Sequence, residues 1–164
     1  MKHKKLVFSA LMAALICVTA MLFPIPLGAG YVFLSDCFVL LAAWVLGRKY
    51  GAAAAGMGAF LADIFTPNVI YAPASMLIKA LMVLIVCAIR SPLWGAIFAE
   101  LWMVLGYFLY AWLVIHRSIY APLTSVPGNI VQGLIGMSAG LALRRIYYNT
   151  KLREVFHGRI KKNS

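Results

Sequence analysis

Four charged side chains lie within stretches of the chain that are otherwise apolar: Asp36, Asp63, Lys79 and Glu100. A charge near the centre of a bilayer costs roughly 2.5–3.5 kcal/mol on insertion scales. Such residues persist where they face a bundle interior, a partner or a wet cavity. Carboxylates accept hydrogen bonds and an ammonium donates them, so this set could form internal ion pairs or hold a polar small molecule.

Uncharged polar groups and tyrosines accompany these charges. Asn129 and Gln132 are three residues apart, so on a helix they share one face. Taken singly, the tyrosines could form an interfacial aromatic belt, and the two amides could bridge helices. Taken together, two acids, one amine, two amides and several tyrosines suit a small heteroaromatic or polar metabolite. The tyrosines in question are Tyr71, Tyr107 and Tyr110.

Composition places these residues in a membrane protein. The chain has 164 residues, of which 64% are hydrophobic, and its mean hydropathy is +0.92. Soluble proteins contain roughly 45–50% apolar residues. The net charge of +11 does not indicate nucleic-acid binding, because the basic residues lie between and after the apolar segments. The predicted location is therefore the cell membrane, with several spans.

The apolar segments predict an all-α bundle of six transmembrane helices. Proline and glycine mark the breaks, with Pro24 and Pro26 after the first helix and Pro92 at the start of the fifth. The domain prediction is a transmembrane substrate-binding domain over 1–143 and a basic cytoplasmic tail over 144–164. The predicted helices run approximately over 6–23, 31–47, 51–66, 73–89, 93–115 and 124–143.

The distribution of basic residues predicts the orientation of the bundle. With the N-terminus in the cytoplasm, all but two of the 15 basic residues fall on the cytoplasmic side. The exceptions are Arg117, in an outer loop, and Lys79, within a span. Cytoplasmic loops of membrane proteins collect Lys and Arg, so both termini are predicted to be cytoplasmic.

This topology sorts the polar residues by depth. Asp36 is expected about six residues from the outer end of the second helix, and Asp63 in the last turn of the third. Lys79 is expected two turns into the fourth helix, where an internal Asp63–Lys79 ion pair is the alternative to ligand binding. Glu100 is expected in the inner third, away from the others, as a structural residue. The outer-half groups predict a pocket open to the exterior, with the loop over 24–30 able to lie across it.

Small residues on the first helix suggest a second function. Ala10 and Ala14 are four apart, with Ser9 and Ala13 beside them, and such spacing lets helix backbones approach closely. This face could pack within the bundle or meet another membrane subunit.

Catalytic motifs are not evident in the sequence. It has no Walker motif, no Gly-rich phosphate loop and no catalytic or metal-ligand constellation, so we expect no cofactor, no metal and no enzyme. Two other hypotheses stay open at this point. One is a small membrane scaffold that uses Gly/Ala helix faces, and the other is a membrane enzyme with Asp36 or Asp63 as general base.

Several segments, taken in order, resemble the substrate-binding S components of the energy-coupling factor (ECF) transporters for vitamins. No single motif decides the resemblance; the ordered set carries it. The segments are Gly30-Tyr-Val-Phe-Leu-Ser-Asp36, Leu61-Ala-Asp63, Tyr71-Ala-Pro-Ala-Ser-Met-Leu-Ile-Lys79, Gly106-Tyr-Phe-Leu-Tyr110 and Pro127-Gly-Asn129-Ile-Val-Gln132-Gly133.

The resemblance implies six helices and a mechanism. An S component binds a vitamin on the outer side with its first loop as a lid. It associates, partly through small residues of helix 1 (here Ala10 and Ala14), with a transmembrane T component and two ATPase subunits, and it hydrolyses nothing itself. The nearest group handles hydroxymethylpyrimidine or pyridoxine. One departure is Ala111, where relatives often carry an acid, and it leaves pantothenate and riboflavin open. The implied substrate-binding residues are Asp36, Asp63, Tyr71, Lys79, Tyr107, Tyr110, Asn129 and Gln132.

Overall fold

Five helices and one β-hairpin make up the part of the chain that the computed structural model describes, which is residues 2–22, 24–27, 30–116 and 118–150. Each helical span is long and apolar enough to cross a membrane, which confirms the prediction of a helical membrane protein. The elements in order are α1 (Lys2–Leu22), β1 (Pro24–Leu27), β2 (Gly30–Phe33), α2 (Asp36–Ile64), a 3₁₀ turn (Val69–Tyr71), α3 (Ala72–Ala88), α4 (Pro92–Tyr110), a π-helical extension (Ala111–His116) and α5 (Tyr120–Asn149).

The hairpin replaces the predicted loop over 24–30 and the predicted first turns of the second helix. Strands β1 and β2 are antiparallel, with Pro24 opposite Phe33 and Leu27 opposite Gly30. The β-branched and aromatic residues of β2 favour a strand. Two prolines in β1 lack an N–H group, which suits an edge strand that has one partner only. Helix α2 therefore begins at Asp36 rather than at residue 31.

The two segments of α2 on either side of Gly47 correspond to the predicted second and third helices; they are counted here as one broken element, which gives five helices where six were predicted. Gly47 has φ 74° and ψ −173°, outside the helical region. A Cβ added at Gly51 would lie 2.7 Å from the carbonyl oxygen of Ala42. On a continuous helix those residues would be about 13 Å apart along the axis. The chain therefore reverses at Gly47, and the two segments of α2 lie side by side.

Helix α5 is longer at both ends than the predicted span of 124–143. It begins at Tyr120, so Pro122 falls in the first turn, where a missing N–H is tolerated. Pro127 lies inside the helix, as membrane helices allow when neighbouring groups satisfy the backbone. The helix ends at Asn149, and the predicted tail beyond residue 150 lies outside the described residues.

Helices α2, α3, α4 and α5 close a ring, because α2 contacts α3 and α5, and α4 contacts the same two helices. Leu40, Met82 and Met103 are fully buried at its centre. One end of the bundle carries the hairpin and Tyr71; we call it the hairpin end. The other end carries Gly47 and the loop between α3 and α4.

Apart from Lys79, which lies within a span, the described lysine and arginine residues gather at the Gly47 end. Arg48 and Lys49 follow the break in α2, and Arg90 joins α3 to α4. Arg144, late in α5, lies 5.6 Å from the ring of Trp44 and 4.8 Å from the ring of Tyr148. The two ends of the bundle therefore differ in charge.

Helix α1 packs on α2 outside this ring. The Ser9 hydroxyl donates to the Tyr50 carbonyl at 2.9 Å. A Cβ added at Gly58 would lie 2.6 Å from the Ala13 carbonyl oxygen. Ser9 and Ala13 therefore face α2, whereas Ala10 and Ala14 are exposed.

Candidate functional site

A cavity of about 340 Å³ lies between the hairpin and the helices near the hairpin end. Its size is at the lower end of the range for small-molecule sites. Six of the eight predicted substrate-binding residues line it: Asp63, Tyr71, Lys79, Tyr107, Asn129 and Gln132. The remaining lining residues are Ala20, Phe33, Ser35, Ala59, Ala62, Thr66, Asn68, Ser75, Ala111, Ser125 and Gly128.

Lys79 forms its ion pair with Asp36 and not with Asp63, which was the alternative that the sequence left open. The Lys79 ammonium contacts Asp36 Oδ1 directly. Gln132 Nε2 donates to Asp36 Oδ2 at 2.7 Å. Asp36 itself has no exposed surface and does not line the cavity. The carboxylate is thus held from two helices, with one oxygen for each partner.

The network reaches the hairpin through Gln132. The backbone N–H of Phe33, the last residue of β2, donates to Gln132 Oε1 at 3.1 Å. One amide side chain therefore joins the hairpin, α5 and the buried ion pair. Sequence spacing could not show this, because 99 residues separate Phe33 from Gln132.

Asp63 lies on the cavity wall, in the last turn of α2. It forms no salt bridge with any described residue, and its Oδ2 is buried without a hydrogen-bond partner. Ser75 and Tyr107 nearby hydrogen-bond to each other through their hydroxyls at 2.9 Å. Of the two acids predicted for the site, Asp63 is the one that forms no salt bridge with a described residue; Lys79 acts on its charge only from beyond salt-bridge distance.

Glu100 lies close to the Asp36 network, which corrects the prediction that depth separates them. A Cβ added at Gly136 would lie 2.7 Å from Asp36 Cβ and 3.3 Å from Glu100 Oε1. Asp36 lies 11 residues before Gly47 and Glu100 lies eight residues after Pro92, so both are roughly 12–16 Å from the Gly47 end of the bundle. Asp36 therefore begins its helix near mid-bundle. Neither Glu100 oxygen has a hydrogen-bond partner among the described residues, and the side chain does not line the cavity.

Three tyrosines cluster at the hairpin end, and two of them line the cavity. The ring of Tyr71 lies 6.3 Å from that of Tyr107 and 5.8 Å from that of Tyr110. Tyr110 does not line the cavity; its hydroxyl donates to the Ile70 carbonyl at 2.7 Å. Tyr110 thus supports Tyr71 and the 3₁₀ turn from behind.

Sequence reasoning missed several polar lining residues, and helical spacing could have found some of them. Ser75 precedes Lys79 by one turn of α3, and Ser125 precedes Asn129 by one turn of α5, so each shares a face with a predicted residue. Asn68 and Ser35 carried no such signal. They lie in turns whose path depends on the hairpin and on the end of α2.

The fold is shared with two solved structures. One is described as "Structure and mechanism of the S component of a bacterial ECF transporter"; it is 22% identical, with a TM-score of 0.77, over 91% of this chain and 98% of that one. The other is the S component for biotin from an ECF-type ABC transporter; it is 22% identical, with a TM-score of 0.62, over 94% of this chain and 96% of that one. At this identity the likeness concerns the fold alone: the chain has the architecture of an S component.

Sequence comparison gives the family. The model of the ECF-type riboflavin transporter S component family matches residues 1–149, and the chain belongs to that family. It is thus a multi-pass membrane subunit of a vitamin transporter, and its family is not an enzyme family. No curated protein matches the sequence.

Proposed function

We propose that this chain is the substrate-specific subunit of an ECF-type importer and that the cavity binds a water-soluble vitamin or vitamin precursor. One observation carries the proposal: the cavity joins aromatic walls, which include Phe33 of the hairpin, to polar side chains from helices α2, α3, α4 and α5. Small-molecule sites have this composition, with largely apolar walls and a few placed polar groups. A scaffold that used only Gly/Ala helix faces would need no such cavity.

The substrates proposed first are hydroxymethylpyrimidine and pyridoxine. Both are flat heteroaromatic rings with hydroxymethyl groups, which suit tyrosine walls and amide or carboxylate partners. Riboflavin, the vitamin that appears in the name of the family, is the next candidate. The proposed ligand contacts are Asp63, Tyr71, Tyr107 and Asn129. Lys79 and Gln132 also line the cavity and lie on the side of the buried Asp36.

The proposed orientation places the hairpin end outside and the Gly47 end in the cytoplasm of the cell. Arg48, Lys49, Arg90 and Arg144 at the Gly47 end support it, because basic residues accumulate on the cytoplasmic side. Both termini would then be cytoplasmic, and the substrate would enter beneath the hairpin, which acts as the lid.

Delivery is proposed to depend on a T component and two ATPase subunits. The exposed pair Ala10 and Ala14 on α1 supports a helix–helix contact, because small residues four apart allow close packing in lipid. The chain itself would supply binding, and the ATPase subunits would supply the energy.

Binding can be tested on the purified protein. Mass spectrometry of co-purifying small molecules, followed by titration with a vitamin panel, is expected to find one compound that binds with submicromolar affinity. Asn129→Ala is expected to weaken that binding, and Ala142→Leu, on the exposed surface of α5, serves as the control. The absence of any thermal shift across the panel would argue against the proposal.

A further inference from the structure

The cavity wall contains two charged side chains among the described residues, Asp63 and Lys79. Their surroundings differ sharply. The positive charge of Lys79 is matched by Asp36, and its Nζ also lies 5.5 Å from the centre of the Tyr107 ring. A carboxylate and the face of an aromatic ring both stabilise a cation. Lys79 is therefore already compensated before a ligand arrives.

Diverting Lys79 to an anionic ligand would leave Asp36 uncompensated. Asp36 has no exposed surface, and among the described residues its other hydrogen-bond partner is the amide of Gln132. An unpaired buried charge is strongly destabilising. An anionic ligand would have to overcome that penalty, and it would also enter a cavity whose second charge, Asp63, is negative.

The carboxylate of Asp63, unlike the ammonium of Lys79, is not matched by an ion pair. It forms no salt bridge with a described residue, and its Oδ2 has no hydrogen-bond donor among them. The Ser75 hydroxyl and, from beyond salt-bridge distance, the Lys79 ammonium are the groups that favour its charge. The terminal torsion of an aspartate is broad, so rotation can present either oxygen to the cavity. A ligand N–H group is the donor that this carboxylate lacks.

The cavity wall also carries an uncharged polar side chain, Asn129. The Asn129 side chain lines the cavity and forms no hydrogen bond with another described residue. Its amide can both donate and accept hydrogen bonds, so it can bind a ligand hydroxyl or carbonyl group. The ring of Tyr71 provides a flat apolar surface beside these groups.

We infer that the cavity selects an uncharged or cationic nitrogen heterocycle whose N–H group donates to Asp63, and that it rejects ligands bearing a carboxylate or phosphate. This inference rests on the proposed function and narrows it. Asp63 becomes the residue that determines the charge class of the substrate, and Lys79 becomes a structural cation.

The test is calorimetric titration of the purified full chain with two sets of probes. Hydroxymethylpyrimidine, pyridoxine and riboflavin carry neither a carboxylate nor a phosphate, whereas biotin and pantothenate carry a carboxylate and pyridoxal phosphate carries a phosphate. At least one member of the first set is expected to bind, and every member of the second is expected to bind at least about 100-fold more weakly than that compound. Asp63→Asn is expected to weaken the best ligand by about 10- to 100-fold, the usual range for a hydrogen bond to a charged group.

Glu100→Gln is the matched control, because it makes the same acid-to-amide change inside the bundle but outside the cavity; its affinity is expected to stay within about twofold. If Asp63→Asn does not fold, an N-methylated derivative of the best ligand tests the same donor on the unchanged protein, and equal affinity would overturn the inference. Tight binding of biotin or pantothenate would overturn it while leaving the transporter function standing. No binding by either set would overturn the proposed function and this inference together.

Discussion

The Lys79 ammonium on α3 pairs with the Asp36 carboxylate at the start of α2, and both side chains are almost completely buried. The pair ties together two helices at mid-bundle, where the first segment of α2 begins. Gln132 completes the group from α5 and extends it to the hairpin. This pair is therefore linked to the hairpin through a single side chain, that of Gln132.

Removing one member of the pair should cost more stability than removing both. Lys79→Met leaves Asp36 buried and uncompensated, so we expect a loss of about 3–5 kcal/mol. The double variant with Asp36→Asn should recover most of that loss. Thermal unfolding in detergent measures both, with Lys49→Met, at an exposed position, as the control. A double variant no more stable than Lys79→Met would contradict the explanation.

A methyl group at Gly136 should disrupt the contact between α5 and the buried acids. An added Cβ would lie 2.7 Å from Asp36 Cβ, so Gly136→Ala should destabilise the protein by about 1–3 kcal/mol. The control is Gly128→Ala on the same helix, where nothing lies within 4 Å of an added Cβ. Equal melting temperatures for the two variants would show that the close approach has no energetic weight.

Loss of the Gln132 side chain should loosen the hairpin. Gln132→Leu removes the acceptor of the Phe33 N–H, and a net hydrogen bond is worth about 1 kcal/mol. Hydrogen exchange at the Phe33 amide should accelerate roughly fivefold. Asn129→Leu, less than one turn away on the same helix and without a bond to the hairpin, should leave that exchange rate unchanged.

The exposed small residues of α1 should matter for transport and not for binding. Ala10→Leu or Ala14→Leu is expected to block uptake by the assembled transporter, because a bulky side chain prevents close helix packing. Ligand affinity of the isolated chain should not change. Ala142→Leu makes the same substitution on an exposed face of α5 and should leave uptake intact. Equal loss of binding and uptake would refute this division of labour.

The proposed orientation can be tested by labelling. In a background without the three native cysteines, Arg48→Cys should react with a membrane-impermeant maleimide only after the cells are opened. Asn68→Cys, at the hairpin end, should react in intact cells. Labelling of Arg48→Cys in intact cells would reverse the topology.

Several features could be read from the sequence because they depend on local composition. Apolar length predicts the spans, and prolines and glycines predict most of their ends. Helical spacing brought Asn129 and Gln132 to one face, and six of the eight predicted substrate-binding residues do line one cavity. Their role in binding stays a prediction.

Tertiary structure alone decided which charges meet. The sequence left Asp63 as a possible partner for Lys79, whereas the packing of α3 against the start of α2 sets Lys79 beside Asp36. The packing of α5 against α2 and α4 brings Glu100 near Asp36 at Gly136, and the reversal at Gly47 lays the two segments of α2 side by side. Periodicity and hydropathy determine that a residue is buried. The partner it is buried against depends on the register between elements distant in sequence, which only packing sets.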